Sequence, residues 1–183
     1  MLRLIGAALV TLSASLVGFG FARGVRRQCA QLEGLLWALD FMQAELSSRL
    51  TPLPQLFSML SACRQRDVAL FFEAAGRALS VPPGCTVPVS FKRGFQASPG
   101  LSPGQEAVQT LYGLSTALGR FDLESQLAAI ERAKGSITSV LLQLQAHLQA
   151  QGHHVRALHR ASKHPAVPFR RADRAGHLRR RKL

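Results

Sequence analysis

Five of the six histidines, His153, His154, His159, His164 and His177, fall within residues 153–183. Clustered imidazoles bind metal when a fold fixes them around one ion, usually with cysteine or carboxylate ligands beside them. Only Asp173 accompanies these five, and no cysteine lies nearby, so neither a metal nor another cofactor is expected. The same segment carries Arg170, Arg171, Arg174 and the run Arg179-Arg180-Arg181-Lys182. Such a charge density neutralises phosphates of nucleic acid or of anionic lipid. Phe169 is its single aromatic residue, so bases would have little to stack on, and nucleic acid is not the expected partner.

Catalytic arrangements are missing from the sequence. It has no Gly-rich phosphate loop, no HExxH and no GxSxG. The carboxylates Asp40, Glu45, Asp122, Glu124 and Glu131 fall on predicted helix faces or caps, where solvation and capping account for them. Cys29, Cys63 and Cys85 form no CxxC pair and are odd in number, which fits reduced thiols in a cytoplasmic domain rather than a disulfide framework. The expectation is a protein that is not an enzyme.

The elements that carry these residues divide by charge. The formal net charge is +13, yet residues 23–152 hold 12 Lys/Arg against 9 Asp/Glu, while residues 153–183 hold 10 Lys/Arg against Asp173. The basicity therefore belongs to the C-terminal segment. Three regions follow: an anchor over residues 1–24, a helical domain over 25–152, and a basic tail, read as disordered, over 153–183.

Leu4 to Ala22 is a run of 19 residues without a charge. As a helix it spans about 28 Å, close to the hydrocarbon thickness of a bilayer. A cleaved signal peptide is the rival reading, resting on Ser13-Ala14-Ser15 as a small-residue cleavage site. The apolar run continues past that site, and Arg23, Arg26 and Arg27 lie beyond it, which favours an uncleaved membrane anchor. The same arginines against Arg3 and the amino terminus place the body in the cytoplasm. Ala7, Thr11, Ala14, Ser15, Gly18 and Ala22 form one stripe of small residues, a candidate contact face for another membrane helix.

From Val25 to Leu50, Cys29, Leu32, Leu36, Leu39, Leu46 and Leu50 recur at three- and four-residue steps, with Gln43 in the remaining slot. This stripe predicts a helix packed within a helical domain, and it is also compatible with a coiled coil between copies of the chain, a homo-oligomer. Thr51 is predicted to cap the next helix, with Pro52 in its first position. Short helices are predicted from Leu53 to about Arg64 and from Asp67 to Leu79. Residues 80–104 hold five prolines and four glycines and form the least regular part, with a short helix around Ser90–Gln96. Ser102 and Pro103 are predicted to open a helix running to about Leu118. Gly119 then ends one helix in the left-handed conformation, and Asp122 caps a long last one. On that helix Leu123, Leu127, Ile130, Ile137, Leu141, Leu144 and Leu148 keep regular spacing, with Lys134 occupying one slot.

Several of these pieces together resemble the stage III sporulation protein AB family. Leu4-Ile5-Gly6-Ala7, Gly18-Phe19 and Ala22 are similar to its membrane segment. Leu32, Leu39 and Glu45, leading into Thr51-Pro52-Leu53-Pro54, are similar to its first soluble helix and turn. Leu118-Gly119, Asp122 and Gln126 are similar to its Leu-Gly-x-x-Asp-x-x-x-Gln signature. Order and spacing match over roughly residues 1–150. The resemblance implies an all-α fold: an N-terminal transmembrane helix followed by a small antiparallel helical bundle, like the cytoplasmic domain of the type II secretion inner-membrane platform protein. It also implies a non-enzymatic structural subunit of the channel assembly between mother cell and forespore in endospore formation. Such a subunit would face the mother cell and bind other proteins of the assembly. The family pattern ends in a second membrane helix, which should begin shortly after residue 155. Residues 153–183 contain no apolar run that could span a bilayer. The hypothesis for this departure is a frameshift near residue 153 that replaced the second anchor; a native tail would leave the protein with one anchor. A membrane-tethered basic protein, binding nucleic acid or anionic lipid through this tail, is the alternative.

Overall fold

The computed structural model describes the backbone of residues 2–82, 84–119 and 122–163, and the side chains of residues 23–82, 84–119 and 122–150. Every regular element among them is a helix: α1 (Leu2–Arg49), α2 (Leu53–Leu60), α3 (Arg66–Ser80), α4 (Val87–Ala97), α5 (Gln105–Ala117) and α6 (Leu123–Lys163). Contacts divide the chain into two units, Met1–Gln149 and Ala150–Leu183. The helical bundle belongs to the first.

Backbone helix runs from Leu2 to Arg49 without a break at the boundary read near residue 24. The side chains of the expected anchor, including Ala7, Thr11, Ala14, Ser15, Gly18 and Ala22, lie outside the described residues. Among the described residues no helix is long and apolar enough to cross a membrane. Residues 164–183 also lie outside the description, and α6 continues past the tail boundary read at residue 152.

The predicted stripe on α1 is the floor of the core. Leu32 and Leu39 are fully buried, and Leu35, Ala38 and Met42 are buried beside them. Burial on more than one stripe follows from α1 packing against α2 and α3 while its Asp40 and Gln43 meet Lys134 of α6. Leu50 departs from the prediction. It lies just past the helix end with φ +53° and is 67% exposed, so the stripe stops at Leu46.

The centre of the bundle is aromatic. Phe71 meets Phe72 at a centroid distance of 4.9 Å and Phe91 at 5.2 Å, both edge to face, and Phe57 meets Phe72 at 5.6 Å. This geometry sets the positive ring edge against a negative face. Gly94 lets α4 press onto α3 here, since a Cβ would stand 2.8 Å from the Phe71 carbonyl oxygen. Ala129, Ile130, Ala133 and Ile137 of α6 complete the core.

Two predicted caps are corrected. Thr51 does not cap α2: Pro52 is the N-cap, with no side-chain cap bond, and Pro54 sits in the first turn. The Thr51 hydroxyl instead donates to Glu45 Oε2 at 2.9 Å, turning back onto the end of α1. Nor does Ser102 open α5, which starts at Gln105 with Gly104 as N-cap at φ +103°. The preceding loop is sewn to α1, because Ser102 N donates to Gln31 Oε1 at 2.9 Å and Pro103 O accepts from Gln28 Nε2 at 3.0 Å. Those bonds hold residues 102 and 103 out of helical geometry.

Candidate functional site

The best-built polar site joins the start of the helical body to two other segments. Gln31 of α1 is almost completely buried, and its amide is saturated. Nε2 donates to Asp67 Oδ2 at 2.8 Å and to the Gly100 carbonyl at 2.7 Å, while Oε1 accepts from Ser102 N. Asp67 stands in the first turn of α3, where the helix dipole favours a carboxylate. Its Oδ2 also accepts from Arg27 Nη2 at 3.0 Å and from Gln65 Nε2 at 3.4 Å. Gln65 in turn caps α3, its Oε1 accepting from Val68 N at 2.8 Å.

The electrostatics of Asp67 follow from these bonds. Burial works against its charged form, but the hydrogen bonds from Arg27, Gln31 and Gln65, with the Arg27 charge, outweigh burial and hold the carboxyl below its ordinary value. Space is equally committed. A Cβ at Gly100 would lie 2.6 Å from Asp67 Oδ1 and 2.7 Å from Arg27 Nη2, so a larger residue there would displace the ends of the two paired side chains. The cluster is a joint: the Gln31 amide and Asp67 Oδ2 are spent on holding α1, α3 and the 98–104 loop together.

A second junction contains the residues singled out in the sequence. Gly119 has φ +76°, and Leu118 is buried beside it. A Cβ on Gly119 would lie 3.2 Å from Leu53 Cδ1 and 3.7 Å from Val87 Cγ2. The turn Thr51-Pro52-Leu53-Pro54 and the turn at Leu118-Gly119 therefore meet in space, at the start of α4. Asp122 accepts from Ser125 N at 3.1 Å through Oδ2 and from the Ser125 hydroxyl at 2.8 Å through Oδ1. The Ser125 hydroxyl and backbone N–H hold the Asp122 carboxyl below its ordinary value. Gln126 N donates to the Asp122 carbonyl at 3.1 Å within the same turn. These positions shape a corner between helices.

On the outer side of α1, a groove of about 650 Å³ runs between Trp37 and the α2–α3 turn, with Gly34 and Cys63 along it and Glu33 and Arg64 as its charged residues. Trp37 is 45% exposed and stacks on Phe41 at 5.6 Å. All three cysteines are free thiols. Burial, with the Glu33 charge adding to it, pushes the Cys29 thiol up, which keeps it protonated and unreactive. Among the described residues no group of three or more His, Cys, Asp or Glu could hold a metal ion.

The sequence reading missed Gln31, Asp67 and Gly100. A glutamine on the apolar side of a helical repeat was the available signal for Gln31. Nothing local marks Asp67 as its partner, 36 residues away.

Comparison with known proteins adds the following. The family model described as Stage III sporulation protein AB matches residues 3–160. A solved structure of "Stage III sporulation protein AB (SpoIIIAB)" superposes with a TM-score of 0.61 at 20% identity, covering 69% of this chain and 98% of that one. At that identity the likeness is one of fold. Among curated proteins, none matches this sequence.

Proposed function

The chain belongs to the stage III sporulation protein AB family, and from that premise we propose that it is a non-enzymatic structural subunit of the membrane channel assembly between mother cell and forespore in endospore formation. In this reading residues 1–24 are a transmembrane anchor. The helical body lies in the mother-cell cytoplasm, is built like a cytoplasmic domain of the type II secretion inner-membrane platform, and binds other proteins of the assembly.

One observation carries the non-enzymatic part. The polar side chains that converge in the body, those of Arg27, Gln31, Gln65 and Asp67, hold one another and the 98–104 loop. Among the described residues no buried side-chain nitrogen or oxygen is left without a partner. Catalytic groups face substrate with donors or acceptors to spare, whereas Gln31, Gln65 and Asp67 are engaged in joining helices, and Arg27, which keeps free donors, cannot serve as a general base.

The test is fractionation of sporulating cells followed by purification of the tagged full chain. The chain should stay with the membrane until detergent is added and should co-purify with other sporulation membrane proteins. Recovery in the soluble fraction without detergent, with residues 1–24 intact, would refute the anchor. Deleting residues 153–183 should leave partner binding unchanged, and its loss would move the function to the tail.

A further inference from the structure

A cavity of about 380 Å³ opens on α1 just beyond the segment read as the anchor. Gly24, Val25, Arg27, Gln28 and Gln31 line it from α1, and Gly100 and Ser102 from the loop before α5. Gly24, Arg27, Gln28 and Gln31 stand at i, i+3, i+4 and i+7 and so share one helix face. Both N–H donors of the Gln31 amide are already taken, and Gln28 gives one N–H to the loop. Arg27 has donors left: Asp67 takes one of its five N–H donors, and its side chain is 60% exposed. Ser102 is exposed, and its engaged atom is the backbone nitrogen, not the hydroxyl.

Charge and space agree. Asp67 balances Arg27 from α3, so the surplus positive charge at this end of the body comes from Arg23 and Arg26, both exposed. Glycine in a helix interior costs stability relative to alanine. At Gly24 a Cβ would meet nothing within 4 Å, so no close packing demands a glycine there. What its missing side chain provides is an open cavity mouth.

We propose that this cavity binds the phosphate of an anionic bilayer lipid. Arg27 and the Ser102 hydroxyl donate to it, and Arg23 and Arg26 supply the attraction. The inference rests on the anchor reading, which places this turn of α1 at the headgroup level, where phosphates and juxtamembrane arginines meet. Free phosphate has the same chemistry, and depth alone selects the lipid.

The full chain is reconstituted in phosphatidylcholine nanodiscs, with and without phosphatidylglycerol, and its thermal unfolding is followed by circular dichroism. Phosphatidylglycerol should raise the midpoint by about 3–6 °C, as expected for one site filled at roughly ten times its Kd. Gly24→Leu, whose Cβ meets nothing within 4 Å and whose side chain fills the mouth, should abolish the rise. Arg23→Gln with Arg26→Gln should increase the phosphatidylglycerol needed for half the rise about thirtyfold. An equal rise with inorganic phosphate in phosphatidylcholine discs overturns the lipid assignment. A rise that survives Gly24→Leu also overturns the site, because it places the lipid elsewhere, as on the basic tail. A chain that inserts but shows no rise sinks this inference alone, while one that enters no bilayer sinks the anchor with it.

Discussion

Lys134 of α6 donates from Nζ to Gln43 Oε1 of α1 across 2.9 Å. Each residue is the polar interruption in its own helix's apolar series, and the two interruptions face each other. Asp40 Oδ1 lies 2.8 Å from the same ammonium, and Glu131 Oε2 lies 3.2 Å away. Sliding α6 by one turn, about 5.4 Å, would set Lys134 against leucine and leave Gln43 unpartnered. The pair fixes the register of the last helix on the first.

Lys134→Leu should therefore cost about 1 kcal/mol in urea unfolding of the detergent-solubilised chain, because Asp40 is largely exposed and its ion pair is screened. Adding Gln43→Leu should recover at least half of that loss, since two apolar residues then face each other. Simple addition of the two single losses would rule out the pairing. Hydrogen bonding to Asp40 chiefly, opposed by burial and helped by Glu131, holds the Lys134 ammonium above its ordinary value. Its contribution is therefore full below the ordinary lysine value and disappears as pH rises through the elevated one.

Asp67 titrates in the opposite sense. With its carboxyl held below the ordinary value, the stabilisation is complete above about pH 4 and is lost as pH falls through the depressed value. Asp67→Asn should cost about 1–2 kcal/mol at pH 7, through weaker bonds to Arg27 and Gln31. That cost should shrink toward zero in acid, where the wild-type residue is also neutral. Denaturant midpoints of both proteins between pH 7 and pH 2.5 measure it, and a cost independent of pH would mean that the carboxylate charge does not hold this joint.

What was legible in the sequence was periodic. The steps through Leu32 and Leu39, and through Ile130 and Ile137, placed α1 and α6 and the residues each buries. Turn chemistry was legible where one residue determines it, as at Gly119. It failed where a distant partner competes. Thr51 has the right hydroxyl for a cap, yet Glu45 takes it, and Ser102 could start a helix had Gln31 not captured its backbone nitrogen. The joint at Asp67 was invisible because its members lie on three segments with no shared spacing, and only the fold makes them neighbours.

The meeting of Gly119 with Leu53 can be separated into backbone and packing parts. Gly119→Ala should destabilise the chain by about 1–2 kcal/mol, because a side chain at φ +76° is strained. The added methyl also presses on Leu53 Cδ1 at 3.2 Å. Adding Leu53→Ala should relieve only the contact, so the double variant must stay well below Leu53→Ala alone. Full rescue would show that crowding, not the left-handed backbone, requires the glycine.

Gly94 and Gly135 offer the sharpest contrast, since both lie inside helices and differ only in surroundings. At Gly94 a Cβ would fall 2.8 Å from the Phe71 carbonyl oxygen and 2.8 Å from its ring, and backbone cannot move aside as a flexible side chain can. Gly94→Ala should push α4 away from α3 and cost about 1–3 kcal/mol, with the Phe71–Phe91 contact loosened. At Gly135 nothing lies within 4 Å of the same methyl. Gly135→Ala should stabilise the chain by about 0.5–1 kcal/mol, because alanine loses less backbone freedom on entering a helix. Parallel urea titrations decide the matter: equal shifts of the same sign at the two sites would mean that helix propensity, and not the approach of α4 to Phe71, governs both.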